Sequence, residues 1–295
     1  MRNTSSGSSS FGPAALQYAR QALRPLPGLN AKSIFLRFSS VFGLLVALAL
    51  PCFAQPMPGD VRQAFQQEVR PALALPEDER ARYGSIAESM LRQAGIYLVR
   101  AQYVLVVDRN VNVQAAMLYW LQPGGPPLYI GASPVSTGKT GRFDHFETPT
   151  GVYPHTLDNP DFRAEGTRNK NGILGYGRRG MRVYDFGWQS ARRGWGKGGI
   201  GTMRLQMHAT DPHYLEPKLG TAQSQGCIRI AATLNRLIDR LGLLDMDYET
   251  YAGTGTRLWV LLPDRNPAYG AGRYLIITDT ARSQRPAWSR PERAK

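Results

Sequence analysis

A mostly β domain, with one convincing helix after Cys227 and a short helical segment in front, is the fold that this sequence predicts. Three patterns predict it. From Gln102 onward the apolar residues fall in strand-length blocks at 103–107, 111–121 and 128–136, the first two separated by the turn-forming Asp108, Arg109 and Asn110. Short strands with Gly and Pro turns continue to about Leu205, which favours a β sandwich or barrel over alternating βαβ units. Leu234, Leu237, Ile238 and Leu241 then recur at three and four residues and stop at Gly242, the mark of a helix with one apolar face. Upstream, Val61, Phe65, Val69, Ile86, Met90 and Leu91 keep helical spacing across 59–95, with Pro71 and Pro76 interrupting.

The chain has 295 residues, 42% apolar and 20% charged, so it can bury a core and is not disordered throughout. Two cysteines exclude a disulfide-rich scaffold and a four-cysteine zinc site. Residues 1–31 are rich in Ser, Gly and Pro and read as disordered. The basic Lys32 and Arg37, the apolar run 41–50, and the small residues Cys52 and Ala54 then form a secretory signal pattern, too short to span a bilayer. The expectation is cleavage after Ala54, with export to the periplasm or cell envelope and membrane contact only through the signal. An uncleaved anchor and lipidation of Cys52 are the alternatives. The expected organisation is a leader over 1–54, a helical preface over 55–100, a catalytic domain over 101–263 and a partly disordered extension over 264–295. Residues 257–262, at the end of the catalytic domain, and 274–278, in the extension, have strand composition, whereas 279–295 is rich in Arg and Pro.

Charge follows the same division. The net charge is +14, and removing the five basic residues of 1–54 leaves 31 basic against 22 acidic residues. Removing the leader also leaves Cys227 without a cysteine partner. On residue type alone, Cys227 reads as a buried small hydrophobe. Its neighbours reverse that preference. All four histidines fall between His145 and His213, and two segments converge in chemistry: Met207-His208-Ala209-Thr210-Asp211 and Ser224-Gln225-Gly226-Cys227-Ile228-Arg229. A thiol near neutral pH needs a base such as His208, or an electropositive setting, to become a nucleophile. Gly226 permits close backbone approach. The helix expected from about Ala231 would aim its positive end toward Cys227.

The Ser224-x-Gly-Cys-Ile-Arg229 box, preceded at nineteen positions by the His of His208-x-Thr210, resembles the signature of the L,D-transpeptidases, the YkuD-type catalytic domain. Ser136-Thr137-Gly138, then Thr148-Pro-Thr-Gly-Val-Tyr153, and the spacer over 215–220 follow in the family's order. The resemblance implies a YkuD-like β-sandwich and peptidoglycan stem peptides as substrate, with no cofactor and no metal. It assigns Cys227 as nucleophile and His208 as general base. Backbone N–H groups of Gly226 and Cys227 would face the oxyanion, with Ser224, Gln225 and Arg229 around the substrate and Arg229 organising the loop. One position departs: where the family often has a second His, this chain has Gln225. The implied reaction is acylation of Cys227 by a stem tetrapeptide with release of D-alanine, then attack by an amine to form a 3→3 cross-link.

Other readings compete. His208, His213 and Cys227 could be imagined on zinc, but Asp211-Pro212 breaks the helix that a same-face His pair needs. His145 and His155 read as polar surface or loop residues beside the Thr-Pro-Thr-Gly loop. Between Arg178 and Gly199, six cations interleave with Tyr184, Phe186, Trp188 and Trp195, and glycines are frequent. That stretch reads either as a solvated loop with its aromatics pinned to the sheet or as a flap over the cysteine. A similar mixture binds single-stranded nucleic acid elsewhere, and the export signal argues against that partner. Hydrolysis or D-amino-acid exchange at the same Cys–His pair, and a non-catalytic peptidoglycan-binding protein, remain as alternative functions.

Overall fold

The structure, a computed structural model, describes residues 55–289; the leader with its signal and Cys52, and residues 290–295, lie outside the described residues. Helix α1, Pro58–Glu68, starts with Pro in its first turn, and the Asp60 carboxylate accepts the Met57 N–H at 2.9 Å. It buries Val61 and Phe65. Helix α2, Glu77–Gln93, carries three acidic residues in its first turn, where the helix dipole favours them, and buries Tyr83, Ala87 and Leu91. The linker between them holds Pro71 and Pro76, as the sequence requires.

Strands β1, Gln102–Asp108, and β2, Ala115–Leu121, are buried along their whole length. The second starts four residues later than expected. Asp108 caps the Asn110 N–H, and Asn110 caps the Asn112 N–H, each at 2.9 Å, so local side-chain bonds hold 110–114 as a turn. The chain continues through β3, Leu128–Pro134, β4, Gly151–Pro154, and the two-residue β5, Phe162–Arg163. Strands β6, Arg182–Arg192, and β7, Ile200–His208, form a long hairpin, and β8, Ile228–Arg229, follows. Helices α3, Ala232–Leu241, and α4, Met246–Ala252, precede β9, Tyr274–Thr278.

Among the described residues these strands make two mixed sheets, ordered β3-β2-β1-β9-β4 and β5-β6-β7-β8. One core lies between the sheets, where Tyr103, Leu105 and Leu118 meet Met203, Leu205, Met207 and the apolar face of α3. A second core covers the opposite face of the larger sheet, where Val104, Val106 and Met117 pack under Tyr83, Ala87 and Leu91 of α2. The fold is mostly β, with two face-packed sheets and a helix after the cysteine box, as expected.

Two expectations about the C-terminal part are corrected. Residues 257–262 are turns, not a strand: the Val260 carbonyl accepts the Arg163 guanidinium, and Leu261 N–H closes on Leu258. The extension assigned to 264–295 is no appendage, because β9 lies between β1 and β4 and pairs in parallel with β1. Its Arg/Pro-rich continuation is ordered through Ser289. Asp279 binds Asn110 and Arg109, Arg282 pairs with Glu79, and the Trp288 ring stands edge-on to Tyr83. Composition reads such a segment as disordered because all these partners lie more than 160 residues away.

His155 also departs from its expected surface place. It is fully buried, stacked on Tyr248 at 5.0 Å, with Nδ1 at 2.8 Å from the Leu244 carbonyl and Nε2 at 2.8 Å from Asp161. Both partners are acceptors, so both ring nitrogens must donate and the imidazole is a cation. Burial opposes that charge, but Asp161 and Asp245 outweigh it, against Arg182, and the pKa is raised. Asp161 in turn binds Arg182, which is buried with Asp245 at 2.7 Å and Asp239 at 3.3 Å. Replacing Arg182 with Leu strands these carboxylates without a counter-ion and is expected to cost about 3–5 kcal/mol in urea unfolding. A group whose folded pKa is raised contributes most below its unfolded value, near 6.5, and loses that contribution as pH rises through the folded value. The melting temperature of His155→Gln should therefore lie furthest below that of the parent at pH 6 and approach it at alkaline pH.

Candidate active site

The site is built where the last pair of the smaller sheet forms. Strand β7 pairs in parallel with β8, Met207 against Ile228 and His208 against Arg229. Paired residues share a face, and alternate residues of a strand share it too, so Arg204, Gln206, His208 and Arg229 stand on one side. Cys227 precedes β8 beside Gln206. Its thiol donates to the Arg204 carbonyl at 3.7 Å, and the Gln206 backbone N–H faces the sulfur. Met203, Leu205 and Met207 point the other way, into the core.

The turn that carries the cysteine is held by its own side chains. Ser224 Oγ accepts the Gly226 N–H at 3.0 Å and donates to the Cys227 carbonyl at 2.5 Å. Thr148 Oγ1 accepts the Gly138 N–H at 2.8 Å and donates to the Gly226 carbonyl at 2.7 Å, tying in the Thr-Pro-Thr-Gly loop. Gly226 has φ of +133°, and a Cβ there would lie 2.6 Å from Met203 Sδ. Glycine is thus required both by conformation and by space. The expectation that the Gly226 N–H would face an oxyanion is corrected: Ser224 occupies it. Ser224 is buried and acts as the clasp of this turn instead of lining a substrate surface. Gln225 keeps an exposed side chain and accepts Phe146 N–H through its carbonyl. Arg229 donates to the Gln223 carbonyl at 3.2 Å and so holds the loop from the other side.

His208 is buried, and its Nδ1 donates to the Ala209 carbonyl at 2.6 Å. That bond fixes the tautomer and leaves the lone pair on Nε2. Burial, with Arg229 nearby, pushes its pKa down to about 4 against the opposing bond to Ala209. Burial raises the Cys227 thiol above its usual value, with the Gln206 N–H and Arg229 pulling it down. At neutral pH both groups are therefore uncharged. The helix-dipole expectation is also corrected: β8 separates Cys227 from the start of α3 at Ala232, and burial dominates the thiol.

Three residues that sequence reasoning missed complete the site. The Tyr176 ring stands edge-on to His208 at 4.7 Å, and its hydroxyl donates to Gln206 Oε1 at 3.1 Å. The Gln206 amide donates to the buried Asp185 carboxylate at 2.7 Å. Period-two alternation along 200–208 would have placed Gln206 beside His208; no local signal marks Asp185 or Tyr176. The basic and aromatic stretch before Gly199 is mainly strand β6. Its hairpin tip is pinned by Gly194 N–H to the His145 carbonyl at 2.8 Å and by Trp195 against Phe146 at 4.8 Å. It is a wall, and the segment that covers His208 is the Tyr176 loop before it. Behind the cysteine turn, Arg109, Thr137, Lys139 and Thr148 line a cleft of about 400 Å³ that does not include Cys227. Among the described residues no group of three or more His, Cys, Asp or Glu is placed to hold a metal.

Residues 102–260 match the family model of YkuD, the L,D-transpeptidase catalytic domain. No curated protein matches the chain.

Two neutral partners predict a particular pH behaviour. Alkylation of Cys227 by iodoacetamide should be slow at pH 7 and climb only in the alkaline range, and acylation by substrate should fall on the acid side as His208 protonates, near pH 4. A thiol alkylated rapidly at pH 6 would instead reveal a resting thiolate–imidazolium pair.

Proposed function

The chain belongs to the YkuD family of L,D-transpeptidase catalytic domains, and we propose that it is an exported peptidoglycan L,D-transpeptidase acting through Cys227. The observation that carries this reading is the shared face of β7 and β8, on which a neutral His208 with a free Nε2 stands with the Cys227 turn. A carbonyl carbon of a stem tetrapeptide, that of the third residue, approaches Cys227. As sulfur attacks, the thiol proton moves to His208 Nε2, so charge develops only in the transition state. Keeping both groups neutral at rest suits an exported thiol, since a standing thiolate is the form that oxidises.

The backbone N–H of Gln206 and the Arg229 guanidinium face the sulfur and stabilise negative charge on it, both in attack and when the thioester is later resolved. The oxyanion is assigned to the Cys227 N–H, the member of the expected pair that Ser224 does not hold. His208 then passes its proton to the departing amine, and D-alanine leaves. An amine of a second stem, deprotonated by the same Nε2, attacks the thioester and frees the thiol, which gives the 3→3 cross-link. Water in place of the amine would make the same site a carboxypeptidase, and a free D-amino acid would make it an exchange enzyme.

Intact mass of the protein mixed with a disaccharide-tetrapeptide tests this sequence directly. The expected result is a transient adduct on Cys227, equal to the donor less D-alanine, and a cross-linked dimer only when a second stem is supplied. Cys227→Ser should lose D-alanine release by at least a thousandfold, in line with removal of a nucleophile. Release retained by that variant would overturn the assignment, and release without dimer would identify a hydrolase.

A further inference from the structure

The solvent face of the β6–β7 hairpin carries a second feature in line with the cysteine. Trp188 is 65% exposed, although it lies within a long, well-paired strand. It faces Arg204 across the ladder, directly after a register shift between Asp185 and Trp188. Such a bulge re-aims a side chain, and here it turns the indole outward on the face that also bears Gln206 and His208. The bulge depends on Gly187, whose φ is +77° and whose Cβ would lie within 2.7 Å of the Asn159 side chain. Asp185 anchors it from below. Its carboxylate accepts the Gly187 N–H at 2.9 Å, Arg204 Nε at 2.7 Å and Gln206 Nε2 at 2.7 Å. The Arg204 guanidinium lies 5.9 Å from the indole centre and stays 42% exposed. One buried carboxylate therefore positions an open aromatic plate, a cation and the residue beside the nucleophile.

We propose that Trp188 is the sugar platform of the donor substrate: the pyranose ring bearing the stem peptide packs its C–H face on the indole, and Arg204 meets a stem carboxylate between sugar and cysteine. The inference rests on the peptidoglycan reading above. Span supports it. Trp188 lies two strand spacings and two residues from the position of Cys227, about 12 Å at about 4.8 Å per strand and 3.3 Å per residue. Three extended residues, from the sugar to the attacked carbonyl, reach about 10–11 Å, and the two side chains close the remainder. Chemistry supports it as well. A flat, solvent-facing indole suits the weakly polar face of a sugar, and a half-exposed guanidinium suits a carboxylate.

The experiment measures equilibrium binding by calorimetry to full-length Cys227→Ala protein, which cannot turn over. The ligands are a disaccharide-tetrapeptide and the same tetrapeptide without sugar. The parent should prefer the disaccharide form by about tenfold; adding Trp188→Ala should bring the ratio of the two dissociation constants near one, and Trp188→Tyr should keep most of it. Because Trp188 is exposed, its loss leaves the fold intact, which a thermal melt checks. No preference in the parent, or an unchanged preference in Trp188→Ala, overturns the platform, even where the unmodified enzyme releases D-alanine. A preference that depends on Trp188 in a protein whose unmodified form releases no D-alanine upholds the platform and overturns the reaction. Failure of both ligands to bind overturns both.

Discussion

A fully buried guanidinium, that of Arg182, sets the condition that the smaller sheet and its helices have to meet. An unpaired charge in that position is strongly destabilising, and each element around it brings a carboxylate. Asp161 comes from the segment before β5, Asp239 from α3 and Asp245 from the entry to α4. Arg163 pairs with the other oxygen of Asp239, Arg265 shares Asp245 Oδ2 with Arg182, and Glu249 joins Arg265. With His155 as a cation, four positive groups face four carboxylates, and the cluster closes with no net charge. Apolar residues of similar volume could make an interior as stable. Direction is what the ionic version adds, because each carboxylate accepts only where a donor points at it.

That direction is passed on to the site. Asp161 accepts the Asp185 backbone N–H at 2.9 Å while it holds His155 and Arg182. Asp185 then distributes its own carboxylate among Gly187, Arg204 and Gln206, and Gln206 receives the Tyr176 hydroxyl above His208. Apart from the half-buried, neutral Tyr176–Gln206 bond, each link is a charge-assisted or buried hydrogen bond, the kind whose loss leaves an unpaired polar group in a low-dielectric place. In the proposed reaction His208 would start from a place set by the Tyr176 ring and the Ala209 carbonyl before any substrate arrives, which leaves little reorganisation.

Burial also explains why the reactive pair is quiet. Removing the imidazole and thiol from water penalises their charged forms, which lowers the one pKa and raises the other. A weak base and a weak acid remain, and both become useful only when a carbonyl is held close enough for proton transfer and attack to coincide. Arg229, level with His208, and the Gln206 N–H supply the favourable field at the sulfur. The loop clasp formed by Ser224 and Thr148 keeps the turn in the strained conformation that Gly226 alone among residues adopts readily. Gln225 is exposed and, among the described contacts, is bonded only through its carbonyl, to the Phe146 N–H.

The sequence by itself determined the strand blocks, the amphipathic α3, the two helices split by Pro71 and Pro76, and the Cys227 and His208 boxes. These are local facts: apolar period, turn residues and the spacing of a few chemically distinctive side chains are written within short windows. Only the tertiary structure decided that β9 enters between β1 and β4, that 279–289 is ordered, and that His155 is a buried cation. It also decided that Gly226 has its N–H occupied, and that Tyr176 stands against His208 and is linked through Gln206 to Asp185. Each of those depends on partners brought together from distant parts of the chain. A carboxylate carries no mark in the sequence of which cation it will meet, and a thiol carries none of how much water will be left around it. Pairing and desolvation belong to the folded chain, and they set the protonation states on which the chemistry runs.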